Sequence, residues 1–183
     1  MKYFLKIIKE SIIVVILSSI FGLFSGSLLS SNQSILYALP IIILVIPSLN
    51  SLIGDMSTVL VSRLTSALYL GTIDPKIESS DKLKENFLGL LFTTLLSLVV
   101  LIVIGYLVAI FTRIKIVNPF FMVFVLIITI LSIFSMMFVI LFISSIIIFK
   151  RGKDPNNFLI PFITSLADFI TPLFLIIFIK IFI

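Results

Sequence analysis

The chain alternates between long apolar runs and short polar links, and that alternation dictates its solvent. About twenty apolar residues in a helix span the hydrocarbon core of a bilayer. Inside lipid, only helices and closed barrels satisfy their own backbone groups. Runs of the required length occupy residues 11–30, 35–70, 87–111, 119–149 and 158–183. They predict an all-α integral membrane protein with five transmembrane helices. Composition excludes the soluble alternative, because 61% of the 183 residues are hydrophobic and only 11% charged, against roughly 25% charged in a soluble domain. The links leave no room for a soluble regulatory domain, so residues 1–183 read as one membrane domain.

Cysteine and histidine are both missing. Disulfides, thiolate nucleophiles, Cys/His zinc sites and histidine-based catalysis are therefore excluded. The 13 basic against 8 acidic residues do not form a nucleic-acid patch, since the cations flank apolar runs. They act as topology signals instead. With a cytoplasmic N-terminus, Lys2, Lys6, Lys9, Lys76, Lys82, Lys84, Lys150, Arg151 and Lys153 lie inside, against Arg113, Lys115 and Lys180 outside. The positive-inside rule then sets the N-terminus in and the C-terminus out; the expected location is the cytoplasmic (plasma) membrane. The first run also has the outline of a signal peptide, with small residues at Ser25-Gly26-Ser27. The membrane-embedded segments downstream favour a retained first span.

Two polar stripes interrupt this apolar background. Ser51, Asp55, Thr58, Ser62 and Thr65 recur at steps of three and four, as do Asp154, Asn157, Pro161, Thr164, Asp168 and Thr171. Such steps put each set on one helical face. Each stripe carries a carboxylate predicted near mid-membrane, where it costs about 2.5–3.5 kcal/mol on insertion scales. Intramembrane carboxylates face a bundle interior or a wet path; the plainer role is helix-to-helix glue. Pro40, Pro47, Gly54, Pro161 and Pro172 fall in the same two runs. They are simple kinks, or they free carbonyl oxygens that line a cavity. Asp154-Pro155 reads as an N-cap followed by proline at the first helical position. Arg63 reads as a cation snorkelling from the inner end.

Oxygen donors without soft ligands suit a hard cation. Mg²⁺ keeps much of its water and needs one or two carboxylates, whereas Ca²⁺ wants six to eight oxygens. Asp168 is the first candidate ligand and Asp55 the second, with Asn50, Ser51, Thr58, Asn157, Thr164 and Thr171 as further candidates. No organic cofactor is implied. Mn²⁺ and Co²⁺ remain alternatives to Mg²⁺, as does Ca²⁺ with added carbonyls.

Two stretches carry a family resemblance. Pro47-Ser48-Leu49, Gly54-Asp55, Ser62-Arg63-Leu64-Thr65-Ser66-Ala67 and Gly71 resemble a Pro-x-Leu…Gly-Asn…Ser-Arg-Leu-Ser-Thr-Ala…Gly stretch. Asp154-Pro155-Asn156-Asn157, Pro161 and Thr164-Ser165-Leu166-Ala167-Asp168 resemble an Asp-Pro-Asp-Asn…Pro…Thr-x-Leu-x-Asp stretch. Both belong to the transmembrane domain of MgtE-like divalent-cation transporters and the related eukaryotic solute carriers. The resemblance implies a homodimer with its ion path on the twofold axis, lined by the second and fifth spans. It also implies that Asp168 matches the pore carboxylate holding a hydrated Mg²⁺. Asp55 departs from the family's asparagine. The resemblance points to a transporter and not an enzyme, with lipid, divalent cations and a second copy of the chain as partners. Two alternatives stand beside it: an intramembrane aspartyl protease using Asp55 and Asp168, and a non-transporting membrane subunit. Against the protease, Leu52 replaces the first glycine of its Gly-x-Gly-Asp signature, and Ala167 directly precedes Asp168.

Overall fold

The computed structural model describes residues 2–78 and 80–182. Within residues 2–14 only the side chains of Phe4, Ile8 and Ile12 are described, so those of the predicted topology cations Lys2, Lys6 and Lys9 lie outside. Among the described residues every regular element is helical: α1 (Lys2–Ser31), α2 (Gln33–Ala38), α3 (Ile41–Tyr69), α4 (Asp81–Phe111), α5 (Pro119–Lys150) and α6 (Pro155–Phe182). The four helices α3 to α6 are long and apolar enough to cross a membrane, while the described apolar part of α1, Val15–Ser31, is shorter.

The overlong second run is not one helix. It breaks at Leu39-Pro40, and the N–H groups of Ile42 and Ile43 bond back to the carbonyls of Leu39 and Pro40 at 3.0 and 3.2 Å to start α3. Proline supplies no N–H to continue the preceding helix, yet it suits a helix start. The other boundaries are equally local. Ser80 accepts from the N–H of Leu83 at 3.2 Å and caps α4. Asn118, left-handed at φ 45°, caps α5 through the N–H of Phe121 at 3.2 Å, with Pro119 following. Asp154 accepts from the N–H of Asn156 at 3.0 Å, which makes it the predicted cap of α6.

Helices α3, α4 and α5 end in one motif, with a left-handed residue just past the helix: Gly71 (φ 65°), Arg113 (φ 57°) and Gly152 (φ 68°). In each, paired N–H groups return to the last carbonyls, as in Lys153 to Ile148 at 3.2 Å and Gly152 to Phe149 at 2.9 Å. Glycine takes this conformation freely, whereas arginine is strained there.

Helix α6 is the hub, packed against α3, α1 and α5, while α4 lies outermost against α3 and α5. Phe87 of α4 meets Phe134 and Phe138 of α5 edge-on, with centroids 5.3 and 4.8 Å away. Tyr69 and Phe149, 5.1 Å apart, tie together the ends of α3 and α5.

Candidate functional site

Both aspartates stand at the middle of their helices. Asp55 is 55 − 41 = 14 residues from the start of α3 and 69 − 55 = 14 from its end. Asp168 is 168 − 155 = 13 from the start of α6 and 182 − 168 = 14 from its end. At 1.5 Å per residue each carboxylate lies about 20 Å from either helix terminus. Both are exposed on the surface of the chain.

Asp168 has one polar neighbour from α3. The Asn50 amide donates from Nδ2 to Asp168 Oδ1 at 3.1 Å. That orientation leaves the amide oxygen, Oδ1 of Asn50, buried without a donor among the described residues. An unpaired carbonyl-type oxygen thus sits next to a carboxylate, and both are acceptors only. One turn away, a Cβ added to Gly54 would lie 4.0 Å from Thr164 Cγ2, so α3 and α6 approach closely here. The Thr164 hydroxyl donates back to the carbonyls of Pro161 and Ile160 at 3.1 and 3.4 Å. Its proton is spent, and what it offers outward is lone pairs. Asn157 continues this exposed face toward the start of α6.

Asp55 lies elsewhere. It opens into a groove of about 660 Å³ between α3 and α4, whose polar lining includes Ser48, Ser51, Thr93, Thr94 and Ser97. Thr93 and Thr94 donate to the carbonyls of Gly89 and Leu90 at 2.8 and 2.7 Å, so they too present acceptors to the groove. No described residue of α6 lines it. The two stripes therefore do not face one another within a chain, as they would in a pore wall or a protease dyad built from one copy. The reason is rotation: Asn50 and Gly54 face α6, and Ser51 and Asp55 follow each by about 100° around α3.

Two other predicted positions turn inward. Thr171 is fully buried and donates to the carbonyl of Ala167 at 2.8 Å. Three residues beyond Asp168 the helix has rotated by about 300°, which carries that side chain to the core. Thr65 is also buried, and its hydroxyl has no partner among the described residues. Thr58 is half-buried. Arg63 is exposed and donates to Asn86 Oδ1 at 3.4 Å near the start of α4, in keeping with a cation at the end of its span.

Sequence reasoning passed over the hydroxyls of α4. Thr93, Thr94 and Ser97 break an otherwise apolar run, which was the available signal. Among the described residues no group of three Asp, Glu, His or Cys side chains is placed to hold a metal. One exposed carboxylate and one exposed hydroxyl cannot replace the water of a hard divalent ion. They can hold such an ion through that water.

The family model for MgtE, a divalent cation transporter, matches residues 46–178. The match runs from within α3 to within α6 and includes Asn50, Asp55 and Asp168, leaving α1 and α2 outside it. No curated protein and no solved structure matches the chain.

Proposed function

The chain belongs to the MgtE divalent cation transporter family, and from that premise we propose that it carries Mg²⁺ across the cytoplasmic membrane along a path between two copies, with Asp168 as the central ligand. The observation that carries this reading is the exposure of Asp168 at the midpoint of α6. A carboxylate at that depth does not face hydrocarbon. Among the described residues its one polar side-chain contact is a neutral amide, which leaves its charge for something arriving from outside the chain. A twofold axis beside α6 would double it, so that two negative charges meet a dication that keeps its water. Mn²⁺ and Co²⁺ satisfy the same chemistry, and Ca²⁺ does so with more oxygens.

In this reading α1 completes a fifth span, with the N-terminus in the cytoplasm and the C-terminus outside. Asp55, with Ser51 and the α4 hydroxyls, forms a second polar station at the same depth. Thr58, Asn157 and Thr164 line the approaches. Thr171, turned into the core, acts through packing. The protein does no covalent chemistry.

The test is Mg²⁺ uptake by proteoliposomes holding the purified protein under a defined gradient. Wild type is expected to transport alone, and Asp168→Ala is expected to be silent. Wild-type uptake in that variant would overturn the assignment. The natural lack of cysteine makes the axis testable too. Thr164→Cys should cross-link two copies under oxidation, and a strictly monomeric product would count against the shared path.

A further inference from the structure

A helical carbonyl normally accepts from the N–H four residues on. For Asp168 that residue is Pro172, which has no N–H. The freed carbonyl belongs to the residue bearing the proposed pore carboxylate, in the middle of a helix that crosses lipid, where an unmet carbonyl is costly. It is met from another helix. The Ser25 hydroxyl of α1 donates to the Asp168 carbonyl at 2.7 Å across 143 residues of sequence, and Ser25 is buried.

Other helical hydroxyls behave differently. Ser19 and Thr171 bond back to Val15 and Ala167 within their own helices. Around Ser25 the two helices are locked by aromatic rings. Phe21 packs on Phe162 and Phe169 with centroids 5.8 and 6.1 Å away, and Phe24 lies 6.2 Å from Phe169, the neighbour of Asp168.

We infer that Ser25 is a positioning residue for the ion site, one that supplies the donor Pro172 withholds and so fixes where the Asp168 carboxylate stands relative to Asn50. The inference rests on reading Asp168 as the ion ligand. It gives α1, which lies outside the family match, a defined part in transport. Ser25 touches no ion; it acts through the backbone of Asp168.

The pairing makes a specific demand. Pro172→Ala returns an N–H to the Asp168 carbonyl, after which Ser25 should be dispensable. The experiment measures Mg²⁺ uptake against Mg²⁺ concentration in proteoliposomes for wild type, Ser25→Ala, Ser25→Thr, Pro172→Ala, the Ser25→Ala/Pro172→Ala double variant and Asp168→Ala. Ser25→Ala is expected to weaken half-saturation about tenfold, the size of effect that unpairing one buried polar group produces. Ser25→Thr, which keeps the hydroxyl, should restore it. The double variant should match Pro172→Ala alone, so that the two substitutions are not additive. Equal uptake by wild type and Ser25→Ala, with Asp168→Ala silent, would overturn the inference and leave the site reading intact. An additive double variant would overturn it as well. Wild-type uptake by Asp168→Ala would instead sink the site reading. If Ser25→Ala does not fold, recovery of folded protein in the double variant supports the pairing, and failure of both refutes it.

Discussion

Replacing Asp168 with asparagine separates charge from shape. The substituted amide would keep an oxygen able to accept from Asn50 Nδ2, the contact that Asp168 makes at 3.1 Å, and would lose only the negative charge. Hydrogen bonds to charged groups contribute about 1.5–3 kcal/mol each. In the proposed dimer, one such bond from the carboxylate to a water of the ion, doubled by the twofold axis, would amount to about 3–6 kcal/mol of ion affinity. At 1.4 kcal/mol per decade this is about a 10²- to 10⁴-fold weakening. Folding responds with the opposite sign. The charged aspartate costs about 2.5–3.5 kcal/mol at a helix centre, and Asp168 sits at the centre of α6, so Asp168→Asn should hold or raise stability. The assay pairs Mg²⁺ uptake by dye-loaded proteoliposomes, over a wide range of external Mg²⁺, with thermal unfolding in detergent. The expected pattern is transport lost by at least two orders of magnitude at an unchanged or higher unfolding midpoint. Wild-type uptake would refute the ligand role, and a clear fall in the midpoint would refute the claim that the charge serves the ion and not the fold.

Asp55→Asn is expected to retain transport and shift the preference among Mg²⁺, Mn²⁺, Co²⁺ and Ca²⁺, measured by competition for uptake; an unchanged preference would take Asp55 off the ion path. Thr129 is fully buried with a hydroxyl unpartnered among the described residues, so Thr129→Val should raise stability by about 1 kcal/mol in detergent unfolding, with transport unchanged. Arg113 holds a left-handed conformation at φ 57° past the end of α4. Arg113→Gly relieves a strain of about 1–2 kcal/mol, partly offset by the greater freedom of glycine in the unfolded chain; the net expectation is a gain of about 1 kcal/mol by the same measurement.

The four long helices α3 to α6 were legible because lipid demands about twenty apolar residues per crossing, and the chain repeats that length. Asp154-Pro155 announced the start of α6, because a cap acts through local backbone chemistry. Pro40, read with four other positions as a kink or a cavity-lining break, is the one that separates two helices, whereas Pro47, Pro161 and Pro172 stay inside theirs. Facing was harder to read. Asp168 and Thr171 satisfy the same three-and-four spacing, yet one is exposed and the other buried. The difference lies in where α1, α3 and α5 pack around α6, and spacing along one helix carries no record of that. Likewise Gly54 and Asp55 are sequence neighbours, but only the first faces α6. Pro172 signals in sequence that some donor is needed at the Asp168 carbonyl. That Ser25 provides it depends on helix packing across 143 residues.

The central placement of Asp168 along α6 has an electrical consequence. Under the proposed function, a dication travelling from either surface to that carboxylate would traverse about half of the transmembrane voltage drop, which is equivalent to moving one elementary charge through all of it. At about 2.3 kcal/mol per charge per 100 mV, an interior-negative potential of that size strengthens loading from outside by about fiftyfold and weakens loading from the cytosol by the same factor. Resting membrane voltage alone would thus give direction to the proposed path, whose geometry is even-handed.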